Sequence, residues 1–129
     1  MNHITPLRKK VLIVDDEAGI LRFLKIALRV YGYEVIAAAS GQEALQMVES
    51  QTPDVMVLDV LMPEMDGWQV LRKLRMFSKV PVIVFTAQGD SAGRALELGA
   101  NAYVVKPFKP DELAAKIASV LKETNAHKV

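Results

Sequence analysis

Val55-Met56-Val57-Leu58-Asp59-Val60-Leu61-Met62-Pro63-Glu64-Met65-Asp66-Gly67 is the stretch whose reading decides the fold. Four apolar residues end abruptly in a carboxylate, Asp59, and a proline-bearing loop follows. Asp66-Gly67 then opens a helical pattern through Trp68, Val70, Leu71, Leu74 and Arg75. A short apolar run bounded by turn signals suits a strand buried on both faces. Open α/β sheets hold their ligands beyond the carboxyl ends of such strands, which is where Asp59 would stand. On this stretch alone a second reading stays open, in which Asp59 merely caps the loop.

The same alternation runs outward in both directions. Toward the N-terminus, Tyr33–Ala37 and Val11–Val14 read as strands and Asp54–Leu58 as the central one. From Glu17 to Tyr31, Arg22, Lys25 and Arg29 form one polar stripe; Ile20, Leu21, Leu24, Ala27, Leu28 and Tyr31 fill the rest. That pattern predicts a helix that is mostly buried, with Gly32 as its C-terminal cap. Ser40-Gly41-Gln42-Glu43 has the capping-box form and opens a helix to about Gln51. Toward the C-terminus, Pro81 precedes a strand at Val82–Phe85, and a glycine-interrupted helix is expected over Ser91–Leu98. Ala102–Val105 is the last strand. Pro110, followed by Asp111 and Glu112, suits the first turn of a final helix with Leu113, Ile117, Val120 and Leu121 as its inner face. Strands alternating with helices imply right-handed crossovers and a parallel sheet. The expected fold is therefore α/β, a flavodoxin-like, doubly wound five-stranded parallel sheet of order 2-1-3-4-5 with five helices.

Bulk properties narrow the function. A chain of 129 residues fits one domain, read here as residues 9–123 between an extension (1–8) and a tail (124–129). A net charge of +1 gives no bulk electrostatic reason to expect nucleic acid, so no direct nucleic acid binding is expected. The absence of cysteine excludes disulfides and thiolate metal sites and is compatible with a reducing, cytoplasmic setting. The first apolar run, Val11–Val14, is too short for a signal-peptide core or a membrane span, so no membrane association is expected. His3 and His127 lie near the termini and read as solvated.

The strand ends carry the chemistry. The first ends in Asp15-Asp16-Glu17, the third in Asp59, the fourth in Thr86 and the fifth in Lys106. Order 2-1-3-4-5 opens all of these on one edge. Two carboxylates about 4 Å apart repel by roughly 4 kcal/mol at an effective dielectric near 20. Lys106 supplies one balancing charge and a divalent cation the other; a set of oxygen ligands points to Mg2+. Carboxylates, a lysine, a hydroxyl and a metal together make a cradle for a transferring phosphoryl group. Asp59, in the centre, is placed as the nucleophile. No histidine or cysteine stands near a strand end, which argues against thiol or imidazole chemistry.

These residues also resemble the receiver domain of two-component response regulators. The matching motifs are Val14-Asp15-Asp16-Glu17, Leu58-Asp59 with Met62 to Gly67, Thr86-Ala87, and Gly99-Ala100 through Tyr103 to Lys106-Pro107-Phe108. The resemblance covers about Lys9 to Leu121 and is specific because the motifs occur together in this order. It implies that Asp59 takes a phosphoryl group from a sensor histidine kinase or a histidine phosphotransfer protein. Asp16 and Asp59 would bind Mg2+ directly with the Leu61 carbonyl, Asp15 mostly through water. Lys106 would pair with a phosphate oxygen, Thr86 would move toward the phosphate, and Tyr103 would swing inward behind it. A cis bond at Lys106-Pro107 is implied too. Such a domain promotes its own phosphorylation and dephosphorylation without turning over external substrates. It acts on a downstream effector protein or a fused output domain; no effector domain follows the last helix, so a stand-alone receiver and a piece of a longer regulator both stay open.

The segment from Thr86 to Lys106 is slightly short for the family, as is the helix before Pro81, so Gln88-Gly89-Asp90-Ser91-Ala92-Gly93 is expected to give a short or mobile fourth helix. Leu61 and Gln88 occupy positions suited to shielding or orienting attacking water, and Leu61 is expected to slow hydrolysis. Trp68, Met62 and Met65 read as packing. Two rivals are weighed. A haloacid-dehalogenase-like phosphatase wants its first two aspartates one residue apart, whereas Asp15 and Asp16 are adjacent. A flavin-binding module wants a hydroxyl- and glycine-rich loop after the first strand, where Asp15-Asp16-Glu17 would repel a phosphate.

Overall fold

The computed structural model describes residues 8–87 and 92–126; His3, Gln88 and His127 lie outside them. Five strands, β1 (Lys10–Val14), β2 (Glu34–Ala38), β3 (Val55–Asp59), β4 (Val82–Thr86) and β5 (Ala102–Val105), form one parallel sheet of order β2-β1-β3-β4-β5. The crossovers are α1 (Ala18–Val30), α2 (Gly41–Gln51), α3 (Gly67–Leu74) and α4 (Ala92–Glu97), and α5 (Pro110–Ala126) follows β5. The fold is flavodoxin-like, as the alternation predicted.

The apolar runs have a simple cause. Side chains alternate across a strand, so a sheet covered on both faces needs apolar residues at consecutive positions. Val11, Ile13, Val55, Val57, Ile83 and Phe85 pack with Leu24 and Leu28 of α1 and Leu113, Ile117 and Val120 of α5. Leu12, Val14, Met56, Leu58, Val82 and Val84 face the other way, against Ala44 and Val48 of α2, Val70, Leu71 and Leu74 of α3 and Ala95 of α4. The register then sets the site. Val14 pairs with Leu58, and Asp59 with Phe85, so the ends of β1, β3 and β4 lie side by side.

Several boundaries differ from the sequence reading. β3 begins one residue later and takes in Asp59, so the carboxylate is the last strand residue. α4 has six residues, fewer than Ser91–Leu98 suggested. α5 continues through Ala126, into the stretch read as tail, and the Thr124 hydroxyl donates back to the Val120 carbonyl. The larger correction concerns α1. Only Leu24 and Leu28 are buried; Phe23, Ile26 and Tyr31 face outward and Val30 is 82% exposed. A helix seated on a sheet buries one stripe, and apolar residues beyond it stay in solvent whatever their number.

Candidate functional site

The site grows from the ends of β1, β3, β4 and β5. Asp15 follows β1, and its Oδ1 accepts the Glu17 N–H at 2.9 Å, turning the chain into α1. Asp59 ends β3, and its Oδ1 accepts the Leu61 N–H at 3.3 Å. The loop-capping reading of Asp59 is thus true as far as it goes, but it uses one oxygen. Beyond Asp59 the chain returns at once. The Gly67 N–H donates to the Val60 carbonyl at 2.9 Å, while Asp66 and Gln69 close a capping box on α3. A Cβ on Gly67 would sit 2.5 Å from the Asp59 carbonyl oxygen and 2.7 Å from the Val60 Cα, so only glycine allows this approach.

Three carboxylates converge. Ligand oxygens of Asp15, Asp16 and Asp59 lie within 4.8 Å of one another, with Asp15 and Asp59 buried and Asp16 exposed. Lys106, after β5, places its Nζ 3.7 Å from Asp59 Oδ1 and 4.0 Å from Asp15 Oδ2. Its backbone N–H donates to the Thr86 carbonyl at 2.8 Å, tying the lysine to the end of β4. Thr86 is buried there. The Lys106–Pro107 peptide is cis, as the resemblance implied.

The balance of charge is incomplete. One ammonium faces two buried carboxylates, and Asp15 Oδ2 is buried without a hydrogen-bond partner. Burial pushes the Asp15 carboxyl up to about 6, against the Glu17 N–H, with the Asp59 charge adding to the rise. Burial also raises Asp59, against the pull of Lys106, and Asp16 raises it further. These features fit a divalent cation: three oxygen donors at ligating separation, one of them an orphaned buried oxygen, and net negative charge that one lysine does not cancel.

Every residue expected at the site and within the described residues is placed. Asp15, Asp16, Asp59, Thr86 and Lys106 come together. Leu61 follows at the rim with its side chain exposed. Tyr103, on β5, is exposed rather than turned into the cluster. Met62 and Trp68 are buried, as their reading as packing had it. The sequence reading missed two cation contacts. Arg94 of α4 stacks on Trp68 of α3 at 4.7 Å, and Lys106 Nζ lies 4.8 Å from the centroid of the Phe85 ring. An aromatic residue directly before Thr86 was the available signal for the second.

Comparisons with known proteins point to one family. The family model described as response regulator receiver domain matches residues 11–118. The chain is 51% identical over 120 residues to the probable transcriptional regulator ycf27 of Guillardia theta, covering 92% of this chain and 47% of that protein. It is 40% identical over 121 residues to the alkaline phosphatase synthesis transcriptional regulatory protein PhoP of Bacillus subtilis (strain 168), covering 92% of this chain and 50% of that protein. It thus spans about half the length of these curated relatives. Among solved structures, the CheY-like receiver domain protein of Methanospirillum hungatei JF-1 superposes with a TM-score of 0.87 at 32% identity, covering 94% of this chain and 99% of that one. The receiver domain of the Francisella response regulator 1452 gives 0.85 at 33% identity, covering 91% and 99%. With the acidic cluster, the lysine and the threonine at one sheet edge, and a family match over most of its length, this chain belongs to the receiver domains of two-component response regulators.

Proposed function

We propose that Asp59 is the phosphoryl acceptor of a signalling switch. The observation that carries this reading is the placement of Asp59 at the centre of the cluster, buried, with Lys106 Nζ at 3.7 Å and two further carboxylates beside it. An Asp59 carboxylate oxygen attacks phosphorus, the bond from phosphorus to the donor imidazole nitrogen breaks, and an acyl phosphate forms. The phosphoryl donor is a sensor histidine kinase or a histidine phosphotransfer protein. Mg2+, when bound, would neutralise charge on the transferring group. Asp16 and Asp59, with the Leu61 carbonyl, would hold it directly, and Asp15 would act mostly through water. Lys106 steadies a phosphate oxygen. Thr86 then moves toward the new phosphate and Tyr103 leaves its exposed position to fill the space behind, biasing a partner-binding surface.

Residues 9–123 form the receiver domain, and its output passes to an effector protein or a fused output domain. The relatives named as transcriptional regulators, each about twice the matched length, favour a fused output domain. Any contact with nucleic acid then belongs to that domain. Among the described residues no helix is long and apolar enough to cross a membrane. We place the protein in the cytoplasm. The exposed Leu61 side chain stands at the rim, and we assign it the role of slowing water's attack on the acyl phosphate.

Intact-mass measurement after treatment with a small phosphodonor and Mg2+ tests the acceptor. One phosphoryl adduct is expected, absent from Asp59→Ala; an equal adduct on that variant removes the assignment. Mg2+ should also raise the melting temperature of the wild type, and Asp16→Ala should lose most of that gain. Equal responses of the two proteins would dismiss the metal assignment.

A further inference from the structure

We infer that Phe85 is a positioning residue for Lys106, holding its ammonium over the ring face so that it meets the phosphoryl group already in place. The inference rests on the assignment of Asp59 as the acceptor and adds a residue to it. Phe85 lies between the two strands that carry the reacting pair. Its Cα is paired with Asp59 on β3 and with Val104 on β5, two residues before Lys106. Its side chain is fully buried, and Phe108 packs on it edge to face, with centroids 6.0 Å apart and planes at 86°. That neighbour and the strand fix the ring. The Lys106 Nζ is 4.8 Å from the ring centroid, 3.7 Å from Asp59 Oδ1 and 4.0 Å from Asp15 Oδ2.

Neither carboxylate holds the ammonium at hydrogen-bonding distance. Lysine is a compact charge on a flexible four-carbon stem, so two long ion pairs alone leave it many rotamers. The negative face of a buried aromatic ring adds a third, directional attraction at under 6 Å, in a setting where desolvation strengthens it. The three contacts fix the Nζ near the carboxylate that receives phosphorus while leaving N–H donors free. Ordering of the lysine is then paid before the donor arrives, which speeds a transfer that depends on placement and charge. Leucine or methionine at position 85 would fill the core but supply no such face.

Fluorination of the ring separates this role from packing, because each fluorine withdraws density from the ring face with little change of volume. Phenylalanine at position 85 is replaced by its mono-, di- and trifluoro derivatives in the full chain. The rate of adduct growth is measured with phosphoramidate at saturating Mg2+. The rate should fall stepwise, by on the order of threefold to tenfold across the series. Equal rates along the series, with the wild type forming its adduct normally, would overturn the inference. A double-mutant cycle with Lys106→Met, read as melting temperature without phosphodonor, supplies a second measure. Fluorination should lower the melting temperature more with Lys106 present than with Met, where only the edge-to-face contact with Phe108 responds. Parallel shifts in both backgrounds assign Phe85 to packing alone. If the wild type forms no adduct, the acceptor assignment fails, and the melting cycle still decides whether the ring holds the lysine.

Discussion

The two edges of the sheet treat charge in opposite ways. At the N-terminal edge the polar groups are consumed by the fold. The Asp54 carboxylate accepts the Lys10 backbone N–H at 2.7 Å, and the Lys10 ammonium donates to the Gln51 carbonyl at 3.0 Å. Arg75, just past α3, makes five hydrogen bonds, to the carbonyls of Ser78, Val80 and Gly99 and the side-chain oxygen of Asn101. Asn101 in turn accepts the Val82 N–H at 2.9 Å. At the C-terminal edge three carboxylates crowd within 4.8 Å and one buried oxygen has no hydrogen-bond partner. The first edge spends its charges on stability. The second holds back from doing so, which suits the cation and the phosphoryl group proposed for it.

The sharpest way to break this contrast is to attack the satisfied edge. Arg75→Met strands several carbonyl oxygens at once and should cost about 3 kcal/mol in denaturant unfolding, without changing the rise in melting temperature that Mg2+ produces. A lost Mg2+ response would mean that the two edges are not independent.

The next effect has the opposite sign. The Asp15 carboxyl sits near 6 in the folded protein against 3.8 for the free group, so between those values the folded state holds the extra proton. Its contribution to stability is fully present below about pH 4 and is lost as pH rises through 6. Without metal, the protein should therefore be more stable at pH 5 than at pH 7, by on the order of 1 kcal/mol from this group, and Mg2+ should erase the difference. Asp15→Asn should stabilise the metal-free protein at pH 7. A destabilised Asp15→Asn protein would show that the cluster is balanced after all.

The smallest effect completes the comparison. Asp54→Asn, the same chemical change at the other edge, weakens one charge-assisted bond to a backbone N–H. It should lower stability by about 1 kcal/mol at pH 7, with no dependence on Mg2+. Opposite signs for the two Asp→Asn variants in thermal unfolding would sharpen the contrast; equal signs would remove it.

Much of this was legible in the residues. Strands covered on both faces write themselves as apolar runs, and the chemistry falls where each run stops: Asp15, Asp59, Thr86 and Lys106 each end one. What stayed hidden depends on contacts between distant segments. Arg75 reads as one more polar residue at a helix end, since its acceptors at Gly99 and Asn101 come from 24 and 26 residues away. Phe85 reads as core, because an apolar run says nothing of the ammonium brought over its ring. In α1 the apolar residues outnumber those the sheet can cover, and no local pattern marks Phe23, Ile26 and Val30 as the ones left outside.

The hydrogen atom that stands in for a side chain at Gly67 has a mechanical meaning. Helix α3 begins directly against the Asp59–Val60 backbone, with no side chain as a cushion between them. On the role proposed for Asp59, a partner seated at the start of α3 would bear on the acceptor's own peptide.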